Sequence, residues 1–106
     1  MKTYSRLTLA FLLLILVVPQ VGADDPPKDG KHVVYYKNGQ KESEGHYKDG
    51  KLDGLLTDWY ENGKKEGEGN YKNGKEDGLA TQWDEDGNKT LEIQYKDGKE
   101  VSYEEF

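Results

Sequence analysis

The acids are the first residues in this chain whose types and spacing could do chemistry. Glu42 and Glu44 stand two apart, as do Glu66 and Glu68, and on a strand that spacing puts both carboxylates on one face. Such a pair could divide acid and base roles in glycoside hydrolysis. His32, His46 and Glu44 could meet at the open end of one hairpin and hold zinc. The stretch Asp84-Glu85-Asp86-Gly87-Asn88 has the oxygen density of a calcium loop. None of the three completes its pattern. The acid pairs recur along the chain, as scaffold residues do and a catalytic pair need not. A structural zinc site takes four ligands at clear spacing. The calcium loop wants glycine sixth and a bidentate Glu twelfth, where this stretch has Gly87 fourth and Tyr95 twelfth. With no cysteine nucleophile, the chain is expected to be no enzyme, with no catalytic residue, no metal and no cofactor.

The elements that would position those residues repeat. From Gly30 the chain has a period of 24 residues: Gly30, Gly54 and Gly78 line up, then Tyr35, Trp59 and Trp83, then Tyr47, Tyr71 and Tyr95. Each period contains two Asn-Gly or Asp-Gly pairs, ending at Gly39 and Gly50, Gly63 and Gly74, and Gly87 and Gly98. These pairs accept the positive φ of tight hairpin turns, so the six glycines are structural turn residues. Short β-forming runs lie between them: His32–Tyr36, Glu42–Tyr47, Leu55–Tyr60, Glu66–Tyr71, Leu79–Trp83, Thr90–Tyr95 and Val101–Phe106. Six turns joining seven strands predict an all-β, single-layer antiparallel meander of repeated hairpins.

The start of the chain differs in kind. Lys2 and Arg6 precede an apolar run over 7–18, and Val21-Gly22-Ala23 follows Pro19. That is the pattern of a signal peptide over 1–23, too short to span a bilayer comfortably, with export to the periplasm or medium after cleavage at Ala23. Residues 24–29, with two prolines, read as a disordered lead-in, and 30–106 as the repeat domain. Lys2 and Arg6 leave with the signal, so 13 basic residues remain against 21 acids, a formal charge of −8. Such a surface repels nucleic acid and anionic lipid.

Two stretches, YYKNGQKESEGHYKDGKLDG and WYENGKKEGEGNYKNGKEDG, resemble the variant form of the MORN repeat. The resemblance covers Gly30–Val101 in three consecutive copies and implies a β-meander built of hairpins. Bacterial members of that family are often labelled antitoxin components of toxin–antitoxin pairs. The third copy departs from the pattern, with Leu91 and Ile93 where the second has Gly67 and Gly69. Larger apolar residues there suggest an end copy that closes the core.

Strand alternation leaves two registers open. A strict two-residue turn at Asn62-Gly63 sets Trp59 across from Glu66; a bulge or a three-residue loop sets it across from Gly67. The second is preferred here, because it collects aromatics, leucines and glycines on one face and acids on the other. Trp59, Trp83, Tyr71 and Tyr95 then become candidate partner-binding residues, with Trp59 the more structural and Trp83 the more exposed. The expected work is protein–protein interaction with an unidentified partner, through the aromatic face or an open sheet edge. Self-association is open to it as well. The rival reading is peripheral binding to membrane or cell-envelope lipid or glycan, which the net charge disfavours for anionic lipid.

Overall fold

A computed structural model describes residues 27–106. The signal peptide, and residues 24–26 of the lead-in, lie outside the described residues. The described chain forms one antiparallel sheet with no helix: β1 (Gly30–Tyr35), β2 (Lys41–Lys48), β3 (Lys51–Leu52), β4 (Gly54–Trp59), β5 (Lys65–Lys72), β6 (Lys75–Trp83), β7 (Lys89–Lys96) and β8 (Lys99–Glu105). Spatial order follows chain order, with the short β3 pairing only β2. β3 and β4 are two pieces of one strand, parted at Asp53, and its counterpart one period later is the unbroken β6. The seven-strand meander stands. Lys28 and Asp29 already belong to it: the Lys28 carbonyl accepts from Gly50 N at 2.8 Å and the Asp29 carboxylate from Asp49 N at 2.9 Å.

The two turns of each period differ. At Asp49-Gly50, Asn73-Gly74 and Asp97-Gly98 both residues have positive φ, 51–52° at the first and 79–82° at the glycine, and the flanking lysines pair directly. These are two-residue turns whose twist suits the strands. The other turn is one residue longer. Tyr60 N donates to Lys64 O at 2.8 Å and Gly63 N to Tyr60 O at 2.9 Å, leaving Glu61-Asn62-Gly63 as the loop. Gly63 takes φ 89°, a conformation that costs any residue with a Cβ about 1–2 kcal/mol. Gly63→Val is therefore expected to destabilise by that much or more, while Lys64→Val stays within about 0.5 kcal/mol of the parent. Urea midpoints of the two variants check it; equal shifts would show that the loop does not depend on its glycine.

The register corrects one expectation. Asp58 pairs with Gly67, Thr57 with Glu68, Leu56 with Gly69, and Trp59 with Lys65. The three-residue loop and a bulge at Glu66 both occur: the loop takes Glu61 from the outgoing strand, and the bulge adds Glu66 to the return strand. The two one-residue shifts reverse the alternation twice and restore the facing of a strict two-residue turn. Glycines 67 and 69 therefore share a face with Leu56, Asp58 and Tyr71, not with the Trp parity. The Trp parity, with Leu55, Thr57, Leu79 and Thr81, shares its face with Glu68, Asn70, Glu92 and Gln94.

The core lies on the first of these faces. Leu56, Tyr71, Ala80, Leu91, Ile93 and Tyr95 are buried there, with Leu52 and Tyr103 packed beside them. Ile93 is only 1% exposed although the described residues form a single layer, so the sheet must curl over this face for its own side chains to close it. Small residues on the inner side permit that: a Cβ on Gly45 would lie 3.0 Å from the Leu56 Cδ1 and 3.1 Å from the Leu52 Cδ2. Leu91 and Ile93 fill, in the last period, the places where Gly67 and Gly69 leave room in the second. The third copy closes the core.

Successive periods are clipped together by side chains that reach forward. Tyr36 Oη donates to Trp59 O at 2.7 Å and Tyr60 Oη to Trp83 O at 2.8 Å. Asn38 Nδ2 donates to Glu61 O at 3.2 Å and Asn62 Nδ2 to Glu85 O at 3.0 Å. In the third period Asp84 and Asp86 replace the tyrosine and the asparagine, and a carboxylate cannot donate. The forward clips stop where the chain stops repeating.

Candidate functional site

The outer face, opposite the core, carries a row of alternating aromatic rings and lysines across the strands. Its members are Tyr35, Lys41, Trp59, Lys65, Trp83, Lys89 and Phe106. Lys41 Nζ lies 5.5 Å from the centre of the Trp59 ring, Lys65 Nζ 5.7 Å from Trp83, and Lys89 Nζ 5.4 Å from Phe106. Each lysine is also bonded to the acid three residues on: Lys41 to Glu44 at 2.7 Å, Lys65 to Glu68 at 3.0 Å and Lys89 to Glu92 at 2.8 Å. A cation over an exposed ring contributes about 0.5–1 kcal/mol, and an exposed ion pair about the same or less. What the triads supply is position. Each indole lies beneath an ammonium group, and one strand, two inter-strand spacings or about 10 Å, separates one ring from the next.

The bulges build these triads. On a regular strand, residues i and i+3 point to opposite faces; the extra residue at Glu42, Glu66 or Thr90 brings Lys and Glu to the same side. The hydrogen bond to Lys41 holds Glu44 below the usual carboxylate range, and the same contact raises Lys41. The row is not uniformly covered. Tyr35 is 57% exposed and Phe106 62%, while Trp59 and Trp83 are both half-buried. Leu55 and Leu79, on the same face, are exposed as well. Between the Tyr35 and Trp59 rings lies a shallow groove of about 410 Å³, floored by Gly39, Gln40, Lys41 and Gly63.

The other residues singled out in the sequence fall elsewhere. Tyr71 and Tyr95 are buried on the core face and do not join Trp59 and Trp83, so a partner at the indoles does not meet them. The six turn glycines all have positive φ. His32 and His46 lie on opposite faces, His32 opposite Gly45 with its ring edge-on to Tyr47 at 6.2 Å, and His46 opposite Lys31. Asp84 organises its own loop: its Oδ1 accepts from Asp86 N and Asn88 N, both at 2.9 Å, and these bonds hold its pKa low. Among the described residues no group of three or more His, Cys, Asp or Glu is arranged to hold a metal ion.

Alternation alone does not lead to the lysines, because it sends Lys41 and Glu44 to opposite faces. The signal available in the sequence is the Lys-x-x-Glu spacing at 41/44, 65/68 and 89/92, which recurs with the period.

One acid is placed unlike the rest. Asp58 is 3% exposed on the core face, and neither of its oxygens accepts a hydrogen bond of good geometry. Burial raises its pKa to about 7, aided by the charges of Glu66 and Glu42; the facing Ser43 hydroxyl pulls the other way without offsetting them. Glu66 and Glu42 are themselves raised, chiefly by burial. The equivalent residue one period later is the neutral Gln82.

Neither a curated protein nor a solved structure matches the chain significantly. The model of the MORN repeat variant matches three successive stretches, 28–49, 52–73 and 76–97, in step with the hairpin period. On that match across most of its length, the chain belongs to the MORN repeat variant family.

Proposed function

We propose that this MORN-variant module is an exported, non-catalytic protein that binds a partner protein on its outer face. One observation carries the reading: the core face consumes the apolar residues the fold needs, yet aromatic rings and leucines remain on the other face in a regular row. Tyr35, Trp59, Trp83, Leu55 and Leu79 are not required to close the core, and aromatic residues so placed are favoured anchors at interfaces. The lysines beside the rings are each paired with Glu44, Glu68 or Glu92, so the row offers a partner aromatic surface flanked by neutralised ion pairs. Export is supported by the charged, apolar and small-residue order of the first 23 residues.

Both parts are testable together. Intact mass of the protein recovered outside the cytoplasm should correspond to a chain beginning at Asp24; a membrane-held form keeping Met1 contradicts export. A photo-crosslinking residue in place of Leu79 should capture a partner protein in the producing cells, while the same residue in place of Asp97, in a two-residue turn away from the aromatic row, should not. Equal capture at both positions, or capture of lipid or glycan alone at Leu79, contradicts the outer-face reading.

A further inference from the structure

We propose that β1 pairs antiparallel with β1 of a second copy of this chain, about a two-fold axis through Val33, joining two meanders into one sheet. The inference rests on the interaction reading and gives the open edge its own partner. Among the described residues the sheet has two edges without a neighbouring strand, β1 and β8. β8 is guarded by Glu100, Glu104 and Glu105, which would face one another in a self-pairing. β1 has no acid, and His32-Val33-Val34-Tyr35 is its strongest β-forming run.

Direction separates the possible assemblies. Seven strands in antiparallel succession leave β1 and β8 running the same way, so stacking copies edge to edge by translation makes a parallel pair. The missing donors at Asp84 and Asp86 close that route further, because the forward clips cannot pass to a following copy. A two-fold axis normal to the sheet pairs β1 with β1 antiparallel and closes after two copies.

The register follows from the lysine row. Trp59 lies between Lys41 over its ring and Lys65 as its cross-strand partner; Trp83 lies in the same way between Lys65 and Lys89. Tyr35 has Lys41 opposite it on the inner side, and no described strand on the outer side. Lys31, Val33 and Tyr35 share the outer face. With Val33 on the axis, Lys31 of the second copy stands opposite Tyr35 and supplies the lysine that the other rings already have. His32 then faces Val34 on the core side. A six-residue strand from each copy buries less than the roughly 1,000 Å² of a stable interface, so the dimer dissociates on dilution.

The experiment is sedimentation of the protein as isolated over a wide concentration range, with V33K, V33C and V101C. The parent should pass from monomer to dimer as concentration rises. V33K should stay monomeric throughout and keep the parent's melting temperature, because within one chain the new charge lies opposite Glu44 and only the dimer brings two of them together. The chain has no native cysteine, so oxidised V33C should cross-link as a dimer across the axis, at a separation that antiparallel partners share with disulfides. V101C, at the other edge, should not. A parent that remains monomeric, a V33K that still dimerises, or cross-linking through position 101 in place of 33 would overturn the proposal. Capture at Leu79 is read separately, so either result can fail while the other stands.

Discussion

Asp58→Asn is expected to raise stability by about 2–4 kcal/mol at pH 8 and to remove most of the loss of stability that the parent shows between pH 4 and 8. The parent's carboxyl is raised from 3.8 to about 7 in the folded state, first by burial and then by Glu66 and Glu42. Because the folded pKa lies above the unfolded one, the folded protein holds the proton more tightly. Its contribution is complete below about pH 4 and is lost as pH rises through 7. About three pKa units correspond to about 4 kcal/mol, and the amide gives part of this back to its own desolvation. Glu42 and Glu66, raised in the same direction, leave a smaller slope in the variant. For a domain of this size, a gain of that order lifts the melting temperature by more than about 8 °C. Melting curves at pH 5 and pH 8 decide it. A variant with the parent's full pH slope would show that Asp58 is solvated and not the source.

Ile93→Ala should have the largest opposite effect. Ile93 is the most buried large side chain of the sheet, at the centre of the cluster of Leu56, Tyr71, Leu91 and Tyr95. Its truncation is expected to cost about 3–5 kcal/mol, a large share of the stability of so small a domain. Leu79→Ala, exposed on the outer face, should cost less than about 1 kcal/mol. Denaturant midpoints of the two variants measured side by side check the assignment of faces; similar losses at both positions would mean that the outer face is packed too.

Much of this was legible in the residues. The period, the turn glycines and the antiparallel meander follow from Asn-Gly and Asp-Gly pairs at regular spacing, because those pairs commit the backbone locally. The closing role of Leu91 and Ile93 was also readable, from bulk appearing where earlier copies have glycine. The facing of the strands was not. It depends on the parity of the one-residue shifts between one strand and the next, and here a loop and a bulge supply one each. Either alone would put Trp59 among the glycines; together they put it among the lysines and acids. The triads depend on the same bulge, because on a regular strand the Lys-x-x-Glu spacing sends the two side chains to opposite faces. Asp58 was hidden for a related reason: only the facing makes it a core residue.

The most direct test of the account is to remove both indoles and ask separately about fold and binding. In the Trp59→Ala/Trp83→Ala double variant, far-UV circular dichroism and cooperative unfolding should persist with a stability loss of about 1–3 kcal/mol, since both rings are half-buried on the outer face and none of the core goes with them. The protein captured by the parent from the producing cells should be absent from the variant's pull-down. A variant that folds and still captures the same protein would contradict the claim that the outer aromatic row is the binding surface.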